Sequence, residues 1–232
     1  MIALRPGAER GYADHGWLRS YHSFSFASYQ DPAHTQFGPL RVINEDFIAP
    51  GSGFGMHGHR DMEIITYVLE GAITHRDNMG NSSVIRAGNV QRMSAGTGIM
   101  HSEHNREPST TTHMLQIWIL PAKLGITPGY EEKPLDEAAR RGGWVLVASP
   151  DGAAGSLTVC QDMRLWAGCF DGAEFGTLAI ASGRRTYVQI ARGTGHVNGH
   201  PLAAGDAVML TQETQVRVDR ASGAEVLVFD LP

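Results

Sequence analysis

The chain has 232 residues, 42% of them hydrophobic, and a formal net charge of -5. That length is room for one large β domain or two small ones with a real core, and the acidic balance excludes the basic face that direct nucleic-acid binding needs. The two cysteines, Cys160 and Cys169, stand in no zinc-type or CxxC spacing, which excludes a disulfide framework and fits a reducing compartment.

The opening MIALRPGAERGYADHG has no apolar h-region of a secretory signal. No apolar run approaches the ~18 residues that span a bilayer. The expectation is a cytoplasmic globular protein with no membrane contact.

Residues 1–39 are irregular and aromatic, with Tyr21, Phe24, Phe26, Tyr29 and Phe37 among Ser, His and Pro, and read as an arm packed on the body. From residue 40 the pattern turns to β: LRVINEDFI (40–48), MEIITYVLEG (62–71), AITHRD (72–77), VIRAGNVQRM (84–93), IMHSEHN (99–105) and HMLQIWIL (113–120). Turn signals stand at Glu70-Gly71 and at NMGN (78–81). Short, evenly spaced strands with Gly-bearing turns predict a sandwich or barrel.

Residues 121–143 carry Pro121, Pro128 and Pro134 and the charged stretch PLDEAARRGG, which predicts one short helix in a linker. The second half returns to β with WVLVAS (144–149), SLTVC (156–160), TYVQIA (186–191), DAVMLT (206–211), VRVD (216–219) and EVLVFDL (225–231). LEG-AITH…AGNV in the first half is echoed by ARG-TGHV…AGDAV in the second, a repeat that occurs twice and predicts a duplicated barrel. The expected organisation is an all-β chain of two tandem barrels: 1–125 with the functional site, 126–143 as linker, and 144–232 without metal.

The placement of the histidines carries the chemistry. His57 and His59 are two apart, which in a strand puts both imidazoles on one face, and His101 and Glu103 share that spacing. On spacing alone each pair is also compatible with solvent-facing side chains. Brought together, they offer three nitrogens and one carboxylate oxygen, a set suited to Fe2+, Zn2+, Cu2+, Mn2+, Co2+ or Ni2+. Glu63 is the rival acid, because by parity with His59 it reaches the same point in a regular strand. His75 and His113 read as packing residues, His104 as facing away, and His196 and His200 as flanking an Asn-Gly turn.

The surroundings of these pairs resemble a known family. The run GSGFGMHGHRDMEIITYVLEG (51–71) is similar to the first cupin motif, with Gly51, His57-x-His59, Glu63 and Gly71. The run GNVQRMSAGTGIMHSEHN (88–105) is similar to the second, with Gly88, Ser94 where Pro is usual, Gly96, His101 and Asn105. Two departures, Glu63 one residue early and the acid of HSEHN at Glu103, resemble the pirin branch. So do WLRSYHSFSFASYQDP (17–32), LRVINED (40–46) and LQIWILP (115–121).

The resemblance covers the whole chain and is greatest to bacterial pirin-like quercetin 2,3-dioxygenases (quercetinases). It implies a bicupin fold and one divalent metal ion, Fe2+ by preference, on His57, His59, His101 and Glu103. It also implies opening of the central ring of flavonols such as quercetin with O2 and release of CO. Glu103 is then expected to take the proton of the flavonol 3-hydroxyl. The resemblance implies an alternative as well, a metal- and redox-dependent regulatory protein that binds a transcription factor or metabolic enzyme. An isomerase or sugar-binding cupin is a third reading, but such sites usually lack the acid beside the third histidine.

Overall fold

The computed structural model describes residues 1–232. The strands of the first half are β1 (Ile2–Arg5), β2 (Gly11–Asp14), β3 (Leu18–His22), β4 (Leu40–Ile48), β5 (Gly53–His59), β6 (Glu63–Glu70), β7 (Ala72–Asp77), β8 (Ser82–Arg86), β9 (Asn89–Ser94), β10 (Ile99–His104), β11 (Thr112–Ile119) and β12 (Gly129–Pro134). A single turn of helix, α1 (Glu137–Arg140), follows, begun by the Asp136 carboxylate accepting from the Ala139 N–H. Then come β13 (Val145–Ser149), β14 (Leu157–Thr158), β15 (Arg164–Phe170), β16 (Gly176–Ala179), β17 (Arg185–Val197), β18 (His200–Ala203), β19 (Ala207–Thr211) and β20 (Gln215–Leu231).

Two compact units result. One comprises Gly11–Pro134 with Leu157–Gln161; the other comprises Met1–Arg10, Leu135–Ser156 and Asp162–Pro232. The division departs from the expected boundaries at both ends. β1 does not join the first barrel: it pairs antiparallel with β19, from Ile2↔Leu210 to Arg5↔Ala207. Residues 129–134, expected in the linker, form β12 and pair with β9, from Gly129↔Ser94 to Pro134↔Asn89. The predicted helix is present and short.

The first unit is two facing sheets, β12-β9-β6-β11-β4-β3-β2 and β5-β10-β7-β8. Between them pack Leu18, Ile48, Val68, Ile73, Ile85 and Met114, drawn from six strands of both sheets. At period two, Ile64, Thr66 and Val68 of β6 point inward and Glu63, Ile65 and Tyr67 point the other way. The β5–β10 ladder contains a bulge: His101 stands opposite His57, but Glu103 stands opposite Phe54. The extra residue of β5 lets Phe54 and His57, three apart, both line the interior. Gly53 permits this close approach, since a Cβ there would lie 2.3 Å from the Glu103 carbonyl oxygen. Gly96 at φ +45° plays a similar part at the end of β9, where a Cβ would lie 2.0 Å from the Ile126 carbonyl oxygen.

The second unit has its own valine-rich core, including Val188, Ile190, Val208, Val218, Val226 and Val228. Its centre is the long β17–β20 pair, running from Arg185↔Leu231 to Val197↔Val218 through three register shifts. No helix of the chain is long and apolar enough to cross a membrane.

Candidate metal centre

β5 and β10 bring His57, His59 and His101 to one point inside the first unit. Their ring centroids are 4.8 Å (His57–His59), 4.5 Å (His57–His101) and 4.9 Å (His59–His101) apart. A nitrogen of each lies within 4.8 Å of the others. The His57 Nδ1 lies 2.8 Å from the Gly55 carbonyl oxygen. A carbonyl can only accept, so Nδ1 carries the proton and Nε2 keeps its lone pair for an ion. Both ring nitrogens of His101 are buried with no protein partner.

Burial, then the neighbouring His57, pushes His59 down to about 4. Burial, then His57, His59 and His75, pushes His101 down to about 3. Both are therefore neutral imidazoles near pH 7, the form that ligates a metal. Orphaned buried nitrogens and neutral donors fit a divalent ion, and the residues that would hold it are these three histidines.

Glu103 stands beside them in the same cavity, 1% exposed. In this arrangement its oxygens group with His101 and His75, within 4.8 Å, and not with the full three-histidine set. A polar belt from the opposite sheet holds it. Thr66 Oγ1 (3.0 Å) and Gln91 Nε2 (2.8 Å) donate to Oε1, and Gln116 Nε2 (2.7 Å) donates to Oε2. Burial raises its pKa, against the lowering effect of His75 and of these donors.

The rival acid is displaced. Glu63 lies on the outward face of β6 and accepts from Ser94 Oγ at 2.8 Å. The parity argument fails because β5 ends at His59 and the chain turns through Asp61, at φ +49°, before β6 starts afresh at Glu63. His104 faces away, against Gly53. His113 is a packing residue, stacked on Phe47 at 4.1 Å and bonded to Glu45 at 2.8 Å.

His75 is more than packing. Its Nε2 bonds Asp77 Oδ2 at 3.1 Å, its ring stacks on Tyr130 at 4.7 Å, and its Nδ1 is buried without a partner, beside Glu103 and His101. The spacing His75-x-Asp77 was visible in the sequence. Its relevance depends on the β7–β10 register, His75↔Glu103 and Asp77↔His101.

The histidines sit in a cavity of about 330 Å³, within the size range of small-molecule sites. Leu18, Phe26, Phe54, Ile64 and Trp118 form its apolar walls, and Trp118 stands edge-on to His59 at 5.0 Å. Ser20, His22, Asn44 and Asp46 form a polar strip on one side. None of these wall residues was singled out as a site residue from the sequence. The available signal was the polar pair Asn44 and Asp46, alternating within the otherwise apolar LRVINEDFI strand.

The chain resembles known proteins over its full length. Residues 5–119 match the family model described as Pirin, and residues 146–231 match that of the quercetinase C-terminal cupin domain. The chain is 47% identical over 232 residues to a quercetin 2,3-dioxygenase of Escherichia coli strain K12, covering 100% of this chain and 99% of the relative. It is 44% identical over 231 residues to a pirin-like protein of Caulobacter vibrioides, covering 99% of each. The crystal structure of the bacterial pirin YhhW from Escherichia coli in complex with nickel(II) superposes with a TM-score of 0.93 at 47% identity, covering 100% of this chain and 99% of that one. With both halves matched in order and relatives similar over their full length, the chain belongs to the pirin family and is built of two cupin domains.

Proposed function

We propose that the protein is a metal-dependent dioxygenase that opens the central ring of flavonols such as quercetin with O2 and releases CO, leaving a depside. The observation that carries this reading is the pairing, at one end of an apolar cavity, of three converging imidazoles with a buried carboxylate. It is supported by the relatives named quercetin 2,3-dioxygenase and by the nickel complex of the E. coli pirin. His57, His59 and His101 hold the ion, and Glu103 is its fourth ligand, the base, or both in turn. A divalent ion bound there supplies Lewis acidity and a template for the flavonol oxygens. Three nitrogens and an oxygen do not select one metal. Fe2+ remains the expectation, and Ni2+ is the ion seen in the E. coli pirin.

The protein's own groups account for the first proton transfer. Flavonol binding requires loss of the 3-hydroxyl proton, and a carboxylate at the cavity surface can take it. Burial raises the Glu103 pKa, which makes it a better base than an exposed glutamate. The belt tolerates either protonation state. Thr66 Oγ1 lies 3.0 Å from Glu103 Oε1 and 3.3 Å from Gln116 Oε1, so its single proton can move to the amide when the carboxyl gains its own. The apolar walls exclude water and face the flat aromatic rings. The protein acts in the cytoplasm on a small aromatic substrate.

The test is anaerobic mixing of the metal-loaded protein with quercetin, followed by admission of O2 and measurement of CO. Stoichiometric CO is expected. No CO with any of Fe, Mn, Co, Ni or Cu overturns the proposal.

A further inference from the structure

The polar strip of the cavity is not used by the metal centre. β3 and β4 pair with Ser20 opposite Asp46 and His22 opposite Asn44. All four side chains are buried and line the cavity. His22 Nδ1 donates to Asn44 Oδ1 at 2.9 Å, and Ser20 Oγ donates to Asp46 Oδ1. That hydroxyl is the one hydrogen bond the Asp46 carboxyl receives. No cation stands beside it, and the charges that face it are those of Glu103 and Glu45.

A carboxyl so placed is costly. It is 3% exposed, has one neutral donor, and lines the same cavity as Leu18, Phe54 and Trp118. An apolar residue at this inward position of β4 would pack without that cost. The arrangement makes physical sense once a ligand in the cavity supplies the missing polar partner.

Its location follows from the ladder. Gln116, which holds Glu103, is opposite Asn44, whereas Asp46 is opposite Met114. Two residues along a strand advance roughly 7 Å, so Asp46 lies one pleat beyond the belt that carries Glu103. We infer that the Ser20–Asp46 pair is a second recognition point of the cavity, binding a phenolic hydroxyl other than the one that faces Glu103 and so setting which hydroxylated aromatics the site accepts. Burial pushes the Asp46 carboxyl up to about 7, so near neutrality it can accept from a phenol or donate to it. The aromatic walls recognise the ring, and the pair recognises its substitution pattern.

This inference rests on the flavonol reading above, and the test separates the two. Nickel-loaded protein is titrated without O2 with quercetin and with 3-hydroxyflavone, which keeps the 3-hydroxyl and 4-carbonyl but no other hydroxyl, and tryptophan fluorescence is followed. The wild type is expected to bind quercetin about tenfold or more tightly than 3-hydroxyflavone. Asp46→Leu is expected to weaken quercetin by about 10–100-fold, the range of a lost hydrogen bond to a charged group, and to leave 3-hydroxyflavone nearly unchanged. Asp46→Asn, which keeps an acceptor oxygen, loses less, and Ser20→Ala shifts quercetin in the same direction as Asp46→Leu. Nickel content equal to wild type shows that each variant keeps its site. Unchanged quercetin affinity, or equal weakening of both flavonoids, overturns the inference and leaves the flavonol reading standing. Failure of the wild type to bind either compound overturns both.

Discussion

Gln116→Leu tests the link between the polar belt and the ion without touching any proposed ligand. The Gln116 amide donates to Glu103 Oε2 at 2.7 Å, and the two donors to Oε1, Thr66 and Gln91, do not replace it. A hydrogen bond to a charged acceptor contributes about 1.5–3 kcal/mol. Loss of a group that orients a ligand typically lowers metal affinity by about 10–100-fold, or about 1.4–2.7 kcal/mol. The two routes agree, so Gln116→Leu is expected to weaken nickel(II) binding by one to two orders of magnitude.

Competition with a chromophoric chelator measures this, with urea unfolding of the metal-free variant as the check on folding. That unfolding should show a loss of about 1–3 kcal/mol for the carboxylate oxygen left without its donor. Glu103→Gln, measured alongside, should lose at least as much nickel affinity. Wild-type affinity in a folded Gln116→Leu protein would show that Glu103 neither ligates the ion nor needs orienting to do so, and the reasoning from the belt would be wrong.

His101→Ala, which removes the most buried of the three imidazoles, should abolish stoichiometric metal by elemental analysis while the apolar core between the sheets keeps the fold. Gly53→Ala places a methyl 2.3 Å from the Glu103 carbonyl oxygen, so β5 and β10 must part; a loss of about 1–3 kcal/mol in urea unfolding is expected, together with weaker metal binding because the histidines of the two strands separate. Asp46 should make the metal-free protein less stable as pH rises. Its carboxyl lies near 3.8 when unfolded and about 7 when folded, so the folded state holds the proton longer and stability falls between about pH 4 and pH 7. The difference corresponds to at most about 4 kcal/mol, and Asp46→Asn should flatten that slope in unfolding curves taken across this pH range.

The candidate ligands were legible in the sequence because strand periodicity is local. A strand repeats every two residues, so His57-x-His59 and His101-x-Glu103 each suggest a shared face before any fold is known; the structure brings His57, His59 and His101 together and groups Glu103 with His101 and His75. The β pattern and the repeated half were legible for the same reason, since strand period and turn residues are short-range properties. What spacing could not decide was every relation across strands. Glu63 kept its parity with His59 only on paper, because the turn through Asp61 restarts the pleat.

The bulge that turns Phe54 inward, the placing of His75 opposite Glu103, and the Thr66–Gln91–Gln116 belt all depend on register between segments far apart in the chain. So does the pairing of β1 with β19, some 200 residues away. The hydrophobic pattern that sets these pairings is spread over both sheets and acts only when they close. Spacing alone marks the candidate ligands and the strand face that each pair would share, because strand periodicity is a short-range property. The tertiary structure alone decided that three histidines meet, that Glu103 is held beside them by uncharged donors, and that Asp46 looks into the same cavity from the opposite sheet.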